Sequence, residues 1–511
     1  MTFRSILFPG DESEPPLLPS QPPSCFRDLN LDALMSSLLA SKQAYGLEPF
    51  FQVPLQDAAS VRYRQEVMRD LDGTALMEDI RRFATAMAEV RELLERSRKL
   101  SYPYEQARWF LGAAQRYCQG VQDLLHGLRA EHPASEGLRS LRACLEAYAT
   151  SEGFLALTGE TDRVIGQLDQ IQFCLFIRNS SITVKAYDGE ADYGAEVEAT
   201  FEKFRTSEAR DYRVKFNHWI GLNHVEAQIL DRVALLHREA FHDLEAFQRN
   251  HADFQDPTLQ RFDREVQFYV AYLDFIAPLR SAGLVFTLPE VSEDAKEERV
   301  IGAFDLALAR QIHLEQGTVV CNDFTLEGPE RIFVVSGPNQ GGKTTFARMV
   351  GQLHHLAGLG CPVPGKEARL FLADRIFTHF ERAEDLSNLR GKLQDDLLRI
   401  RHILDEATPR SLVILNEIFA STTLKDAVFL GRQILARLLD LDALGVCVTF
   451  LAELAGQDPR LVSLVSMVDP EDPAIRTYRL VRKPADGQSY ALVLARKHRL
   501  TPEQIKERIR V

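Results

Sequence analysis

The chain has 511 residues, 45% of them hydrophobic and 26% charged, with a formal net charge of −13. That balance describes an ordinary globular protein of about two to four domains and excludes a chain coated in nucleic acid, although a local basic surface stays compatible. The seven cysteines form no C-x-x-C pair, which points to reduced thiols in a cytosol, and no apolar run approaches the ~20 residues of a membrane span.

Met1–Phe8 is too short for a signal peptide and meets Pro9, Asp11 and Glu12 at once. Residues 9–24 are crowded with proline, serine and acidic residues, so residues 1–24 read as a flexible tail. Helical patterns dominate from Phe26 to about residue 280. Phe83, Met87, Val90 and Leu94 recur at helical spacing. Ile229, Val233, Leu236, Ala240, Leu244 and Phe247 trace one face for about five turns, and Phe262, Val266, Val270, Leu273 and Ile276 resume after Asp256-Pro257. Single-stripe helices of this length suggest levers or a bundle. Between them, Phe173–Ile177 and Ile182–Tyr187 are rich in β-branched and aromatic residues, with turn residues at Asn179–Ser181. This predicts a small strand-containing insertion.

Near Pro289 the character changes. Short strand-like runs alternate with turns from Arg299 to Phe333, and a helix is expected to about Gly358. Leu412–Leu415 and Val446–Phe450 read as further buried strands. Strands alternating with helices predict an α/β domain with a largely parallel sheet, its nucleotide at the carboxyl ends of the strands.

Phe333-Val334-Val335 breaks into Ser336-Gly337-Pro338-Asn339-Gln340-Gly341-Gly342-Lys343-Thr344-Thr345, and a helical pattern follows. Gly337, Gly342, Lys343 and Thr344 satisfy the P-loop pattern in its proper strand–turn–helix context. Glycines let backbone N–H groups turn toward phosphate oxygens, and the helix N-terminus adds positive potential. Lys343 reaches the β- and γ-phosphates, and the Thr344 hydroxyl ligates Mg²⁺. The run Leu412–Leu415 ending in Asn416-Glu417 has the form of a Walker B strand. Glu417 is the candidate catalytic base. Asn416 offers an amide where an aspartate usually steadies the metal.

These residues resemble the MutS mismatch-repair ATPases, relatives of the ABC ATPases. Gly337–Thr345 is similar to that family's GPNxGGKST loop, and Val363-Pro364 with Asp374–Thr378 to its VPA…DRIFTR run. Glu417-Ile418 and Asp426 fall at the spacing of its DEIGRGT…DG stretch. Ser489-Tyr490-Ala491 through Ile505 resembles its closing segment. The likeness covers about residues 25–511 and is specific over 330–450. It implies a multidomain protein with a helical core and lever region (25–290), a small β-containing clamp at about 170–200, and an ABC-type P-loop α/β ATPase domain (291–511).

The resemblance implies ATP and Mg²⁺ as cofactors, an ATPase reaction, a homodimer, and DNA as a partner read by structure rather than sequence. Phosphates would lie on Lys343 and the backbone of 338–342, with Asn416 in the second shell of the metal. The loop Leu386–Lys392, including Ser387 and Lys392, would face the opposing subunit's phosphate.

Several positions depart from the family pattern. Lys392 occupies a hydroxyl position, the switch histidine is replaced by Phe450, and Val319 stands where some relatives stack an aromatic on adenine. The likeness includes neither a mismatch-reading domain nor its Phe-x-Glu wedge. Slow hydrolysis is therefore expected, and a clamp gated by nucleotide binding or arms that bind protein remain alternatives. Residues 476–511 carry ten basic residues against three acidic ones, a local balance of +7. A basic helix is expected from Thr501; a solvated face or dimer surface fits it better than direct phosphate contact.

Overall fold

The computed structural model describes residues 3–10, 23–179, 181–190, 193–202, 221–381, 392–419, 422–456, 458–472, 475–485, 500–502 and 505. The chain forms two compact units. One comprises residues 1–3, 74–133 and 139–263, the other residues 4–73, 134–138 and 264–511. The sequence reading divides the chain at 290/291. The compact units divide it elsewhere, because residues 4–73 pack with the α/β half rather than with the long helices.

In the first unit the helices Ala75–Lys99 and Pro103–Glu131 pack along each other. Phe83, Met87 and Val90 form the buried stripe, and Leu94 is only half buried. Gly120 lets the helices close up, since a Cβ there would lie 3.0 Å from that of Ala86. At about 1.5 Å per residue, these 25- and 29-residue helices are roughly 37 and 43 Å long.

The five-turn stripe from Ile229 to Phe247 is interrupted. A helix from His224 ends at Leu236, His237 leaves helical geometry (φ −118°, ψ 49°), and a second helix runs Arg238–Asn250. The break rotates the register, so Leu236 is 45% exposed while Phe241 joins Val233, Leu244 and Phe247 in the core. After Asp256 the helix Pro257–Ser281 begins where expected, with the Asp256 carboxylate accepting from the N–H groups of Thr258 and Leu259.

Strands β1 (Phe173–Arg178) and β2 (Ser181–Ala186) form an antiparallel hairpin, turned through Asn179 at φ 54°. Val184 packs toward Val233, Ala234 and Phe241. Much of the remaining apolar surface faces outward: Ile177 is 70% exposed, and Phe173, Leu175 and Ile182 about 40%.

The second unit begins with a correction. Residues 5–8 are no tail. Ile6 and Leu7 are fully buried, and the buried Glu265 carboxylate accepts from Ser5 Oγ (2.9 Å) and Ile6 N (3.0 Å). Tyr269 donates to the Ile6 carbonyl, and the buried Arg64 guanidinium donates to that of Leu7. The proline-rich residues 11–22 lie outside the described residues.

The α/β part contains β3 (Phe286–Thr287), β4 (Glu290–Ser292), β5 (Glu298–Ala303), β6 (Asn322–Leu326) and β7 (Ile332–Ser336). It continues with β8 (Val363–Pro364), β9 (Glu367–Phe371), β10 (Ile376–Phe380), β11 (Leu412–Asn416), β12 (Leu444–Val448), β13 (Leu461–Val468) and β14 (Arg476–Arg482). The main sheet has the order β10-β11-β12-β7-β13-β14, parallel throughout except for the final β13–β14 pair. Every residue of β7, β11 and β12 is buried, as apolar runs covered on both faces must be. A smaller sheet orders β4-β9-β5-β6, and β3 pairs with β8.

Not all of 299–333 is strand. Asp305 caps a helix over Leu306–Leu314, its carboxylate accepting from Leu308 N (3.0 Å), and Leu306 and Ala309 are buried. Five described strands beyond residue 360 that periodicity alone did not reveal are β8, β9, β10, β13 and β14.

The helix Lys343–Gly358 follows β7 and is almost wholly buried. It is moored by the chain between residues 28 and 55. Arg348 donates to the Asp28 carbonyl (3.0 Å), Gln352 to that of Leu29 (2.9 Å), and Leu55 N to that of Gly358 (2.8 Å). His355 Nε2 lies 2.8 Å from the Phe51 carbonyl, and burial pushes its pKa down to about 4. Among the described residues no helix is long and apolar enough to cross a membrane.

Candidate nucleotide site

The carboxyl ends of β7, β11 and β12 converge, and the glycine-rich turn leaves β7 there. The turn needs three left-handed positions: Gly337 (φ 123°), Gln340 (φ 59°) and Gly342 (φ 91°). Gly337 is also pressed against β13, where a Cβ would lie 3.0 Å from Ser466. A Cβ on Gly341 would meet Ser466 Oγ at 2.3 Å, and that buried hydroxyl donates to the Gly341 carbonyl at 2.5 Å. Neighbouring backbone and side chain thus demand these glycines.

Lys343 opens the helix and is 4% exposed. Its ammonium donates to the carbonyls of Gly337 and Pro338, each at 3.0 Å, and sits 4.3 Å from the centre of the Phe450 ring. Burial lowers its pKa, and Glu417 opposes that shift. Burial raises the pKa of Glu417, offset by Lys343 and reinforced by Glu381. Glu417 adopts φ 56° just past β11, and its N–H donates to the Val448 carbonyl (2.9 Å). Thr344 Oγ1 donates to Asn416 Oδ1 at 3.0 Å.

A cavity of about 520 Å³ opens here. Asn339, Gln340, Gly341, Gly342, Lys343, Thr344 and Thr345 line one side, and Glu417 reaches it from β11. Phe304, Leu308, Ile312 and Val319 supply apolar wall, joined by Phe450 and Tyr478. Gly337 and Pro338 contribute the carbonyls on Lys343 rather than lining the space.

Two residues, Ser387 and Lys392, are expected in a loop facing an opposing subunit. Lys392 pairs with Glu381 at the end of β10, and Ser387 lies outside the described residues. Among the described residues no group of three or more His, Cys, Asp or Glu is placed to hold a metal. The oxygens of Thr344 and Asn416 do suit a hard cation such as Mg²⁺ that keeps waters and phosphates as its other ligands.

Periodicity missed two parts of the site. One is the apolar wall from the helix Leu306–Leu314. The other is β14, where Arg476 Nε donates to the Asn339 carbonyl (3.2 Å) and Tyr478 lines the cavity. Asp305 ahead of an apolar run was the available signal for the first.

A glycine turn joining a buried parallel strand to a buried helix, at the carboxyl edge of a six-stranded sheet, places this part of the chain among α/β domains with a site at the strand ends. Residues 333–510 match the family model for MutS domain V. Over that stretch the chain is similar to the MutS family.

Its relatives include the DNA mismatch repair protein MutS of Syntrophobacter fumaroxidans, 32% identical over 206 residues, 39% of this chain and 23% of that protein. The protein of the same name from Brevibacillus brevis is 34% identical over 123 residues, 24% of this chain and 14% of the relative. That of Thermotoga neapolitana is 28% identical over 308 residues, 58% of this chain and 35% of the relative. The chain therefore spans about a third or less of the length of these curated relatives.

Proposed function

We propose that the protein is an ATP-dependent DNA-binding protein of MutS type. In this reading it couples nucleotide binding at a homodimer interface to closure on branched or distorted DNA, in repair or in the control of recombination. The observation that carries this is the convergence of Lys343, Thr344 and Glu417 on one cavity at the carboxyl edge of the sheet, with Asn416 hydrogen-bonded to Thr344. Lys343 exchanges its two backbone carbonyls for phosphate oxygens, and the N–H groups of 338–342 share that charge. Thr344 and Asn416 hold the oxygen side of a Mg²⁺ site, and the metal, when bound, neutralises charge on the β- and γ-phosphates. Glu417 orients and deprotonates the attacking water. Phe450 gives a ring where relatives place a histidine. A phenyl group neither donates nor accepts a proton, which favours slow turnover.

A second reading keeps the nucleotide site but gives the arms a protein partner. The exposed apolar surface of the β1–β2 hairpin favours it, because phosphate binding calls for cations and the strands carry only Arg178 and Lys185.

One titration tests the first reading. ATP–Mg²⁺ should bind the parent and lose measurable affinity in Lys343→Ala, and ATP should change the salt-dependent retention of forked and four-way DNA. ATP binding without any retention of DNA would move the protein-partner reading ahead. Unchanged ATP affinity in Lys343→Ala would remove the nucleotide site.

A further inference from the structure

Strand β14 does more than extend the sheet. Its pairing with β13 is irregular: Ser466 faces Leu480 and Val468 faces Arg476, so the register shifts between them. Tyr478 lies within the shift at φ 57°. Asn322 fixes this bend, its amide donating to the Tyr478 carbonyl (3.1 Å) and accepting from Leu480 N (2.8 Å). Bulges of this kind re-aim side chains beside functional sites. Here the bend carries the backbone of Tyr478 to within 3.6 Å of where a Gly342 Cβ would stand, and Arg476 Nε onto the carbonyl of Asn339.

We propose that Arg476 is a second phosphate-binding cation of this site, supplied from β14 rather than from the glycine loop. The inference rests on the nucleotide reading above and specifies how the polyphosphate is held. The half-buried side chain is anchored on the backbone of Asn339, a residue that lines the cavity.

The local charge count supports it. At Lys343 the Glu417 carboxylate favours the charged ammonium and the Arg476 guanidinium opposes it. Asn416 adds no negative charge. Arg476 and Lys343 repel each other as like charges, and a polyanion held by both relieves that repulsion. A guanidinium's planar donor fork matches phosphate oxygens, and the hydrogen bond to Asn339 pre-orients the arm, lowering the entropy cost of the contact. Triphosphate carries the most charge, so Arg476 favours ATP over ADP.

The test uses the full chain. ATP and ADP are titrated with Mg²⁺ by calorimetry into the parent, Arg476→Ala, Arg476→Lys, Arg476→Gln and Lys343→Ala, with unfolding midpoints recorded for each. Arg476→Ala is expected to weaken ATP by about tenfold or more, the range of a hydrogen bond to a charged group, and to reduce the preference over ADP. Arg476→Lys should recover part of the loss. Arg476→Gln, which retains a donor for Asn339 without the charge, should resemble Arg476→Ala. Parent-like ATP affinity in folded Arg476→Ala or Arg476→Gln, with Lys343→Ala still defective, overturns the role of Arg476 and leaves the nucleotide site standing. A parent that binds no ATP removes both.

Discussion

Thr344 and Asn416 are joined by a 3.0 Å hydrogen bond in which the hydroxyl donates to the amide oxygen. Such a bond needs an acceptor but no charge. A carboxylate at 416 would therefore keep the contact and add the negative charge that a divalent cation prefers. Asn416→Asp is expected to raise the rate of ATP hydrolysis and lower the Mg²⁺ concentration giving half the maximal rate. Because Asn416 is 7% exposed, the variant should also be less stable without Mg²⁺, which thermal unfolding with and without the metal reads directly. An unchanged Mg²⁺ requirement would separate residue 416 from the metal.

Glu417 tests the chemistry rather than the metal. Glu417→Gln removes a base while preserving shape, so turnover is expected to fall by about 10²–10⁴-fold. Nucleotide affinity should change little. Steady-state hydrolysis and calorimetric binding, measured on one preparation, decide between these effects. Full activity would put the base elsewhere.

A pH dependence follows from a pair behind the site. His354 Nε2 lies 2.7 Å from Glu298 Oε1, and its Nδ1 lies 2.9 Å from the Val350 carbonyl, both side chains being buried. Each ring nitrogen faces an acceptor, so the imidazole is held protonated, and the nearby Glu298 keeps its pKa raised despite burial. A raised folded-state value means that stabilisation is fully present below the unfolded value of 6.5 and is lost as pH climbs through the folded value. The unfolding midpoint should therefore decline as pH rises from 6.5 through the folded value, and His354→Gln should flatten that decline. His354→Leu, which leaves the carboxylate buried and unpaired, should cost about 3–5 kcal/mol.

Packing supplies a separate test. A Cβ on Gly351 would lie 2.6 Å from Leu29 Cδ2 and 2.9 Å from Ile414 Cδ1. Gly351→Ala should lose about 1–3 kcal/mol through overpacking, seen in the denaturant midpoint. Leu29→Ala leaves a cavity and should cost about 2–5 kcal/mol alone. Combined, the added methyl fills part of the space, so the double variant should be more stable than the two losses summed. Simple additivity would show that Leu29 and Gly351 do not share the space.

What the sequence revealed follows from how local each signal is. Val334 and Val335 before Gly337, with Lys343 and Thr344 after it, lie within one strand–turn–helix, and the structure brings those residues together. Asn416 could be tied to Thr344 only through the Walker B form of its strand, since their meeting depends on parallel strands that no periodicity encodes. Arg476 stood out only as one charge in a basic stretch, because its contact with Asn339 depends on a bend made by Tyr478 and Asn322. The apolar stripe from Ile229 to Phe247 misled for a different reason. Helical spacing survives a one-residue break when neighbouring residues are also apolar, so Phe241 replaced Leu236 without a visible fault in the pattern. The N-terminal residues misled because Ser5 and Ile6 are held by Glu265 and Tyr269, far beyond any local window.

The mooring of the helix Lys343–Gly358 also sets an order of events during synthesis. The carbonyls of Asp28 and Leu29 take donors 320 and 323 residues downstream, and that of Phe51 meets its partner 304 residues on. At about 5–20 residues per second, the ribosome needs roughly 16 to 64 seconds to span the longest of these gaps. Through that interval Phe26 and Leu29, both buried in the finished protein, lack the helix that carries their partners His355 and Gly351. Exposed apolar surface of this kind makes the growing chain prone to aggregation until the glycine loop and its helix emerge.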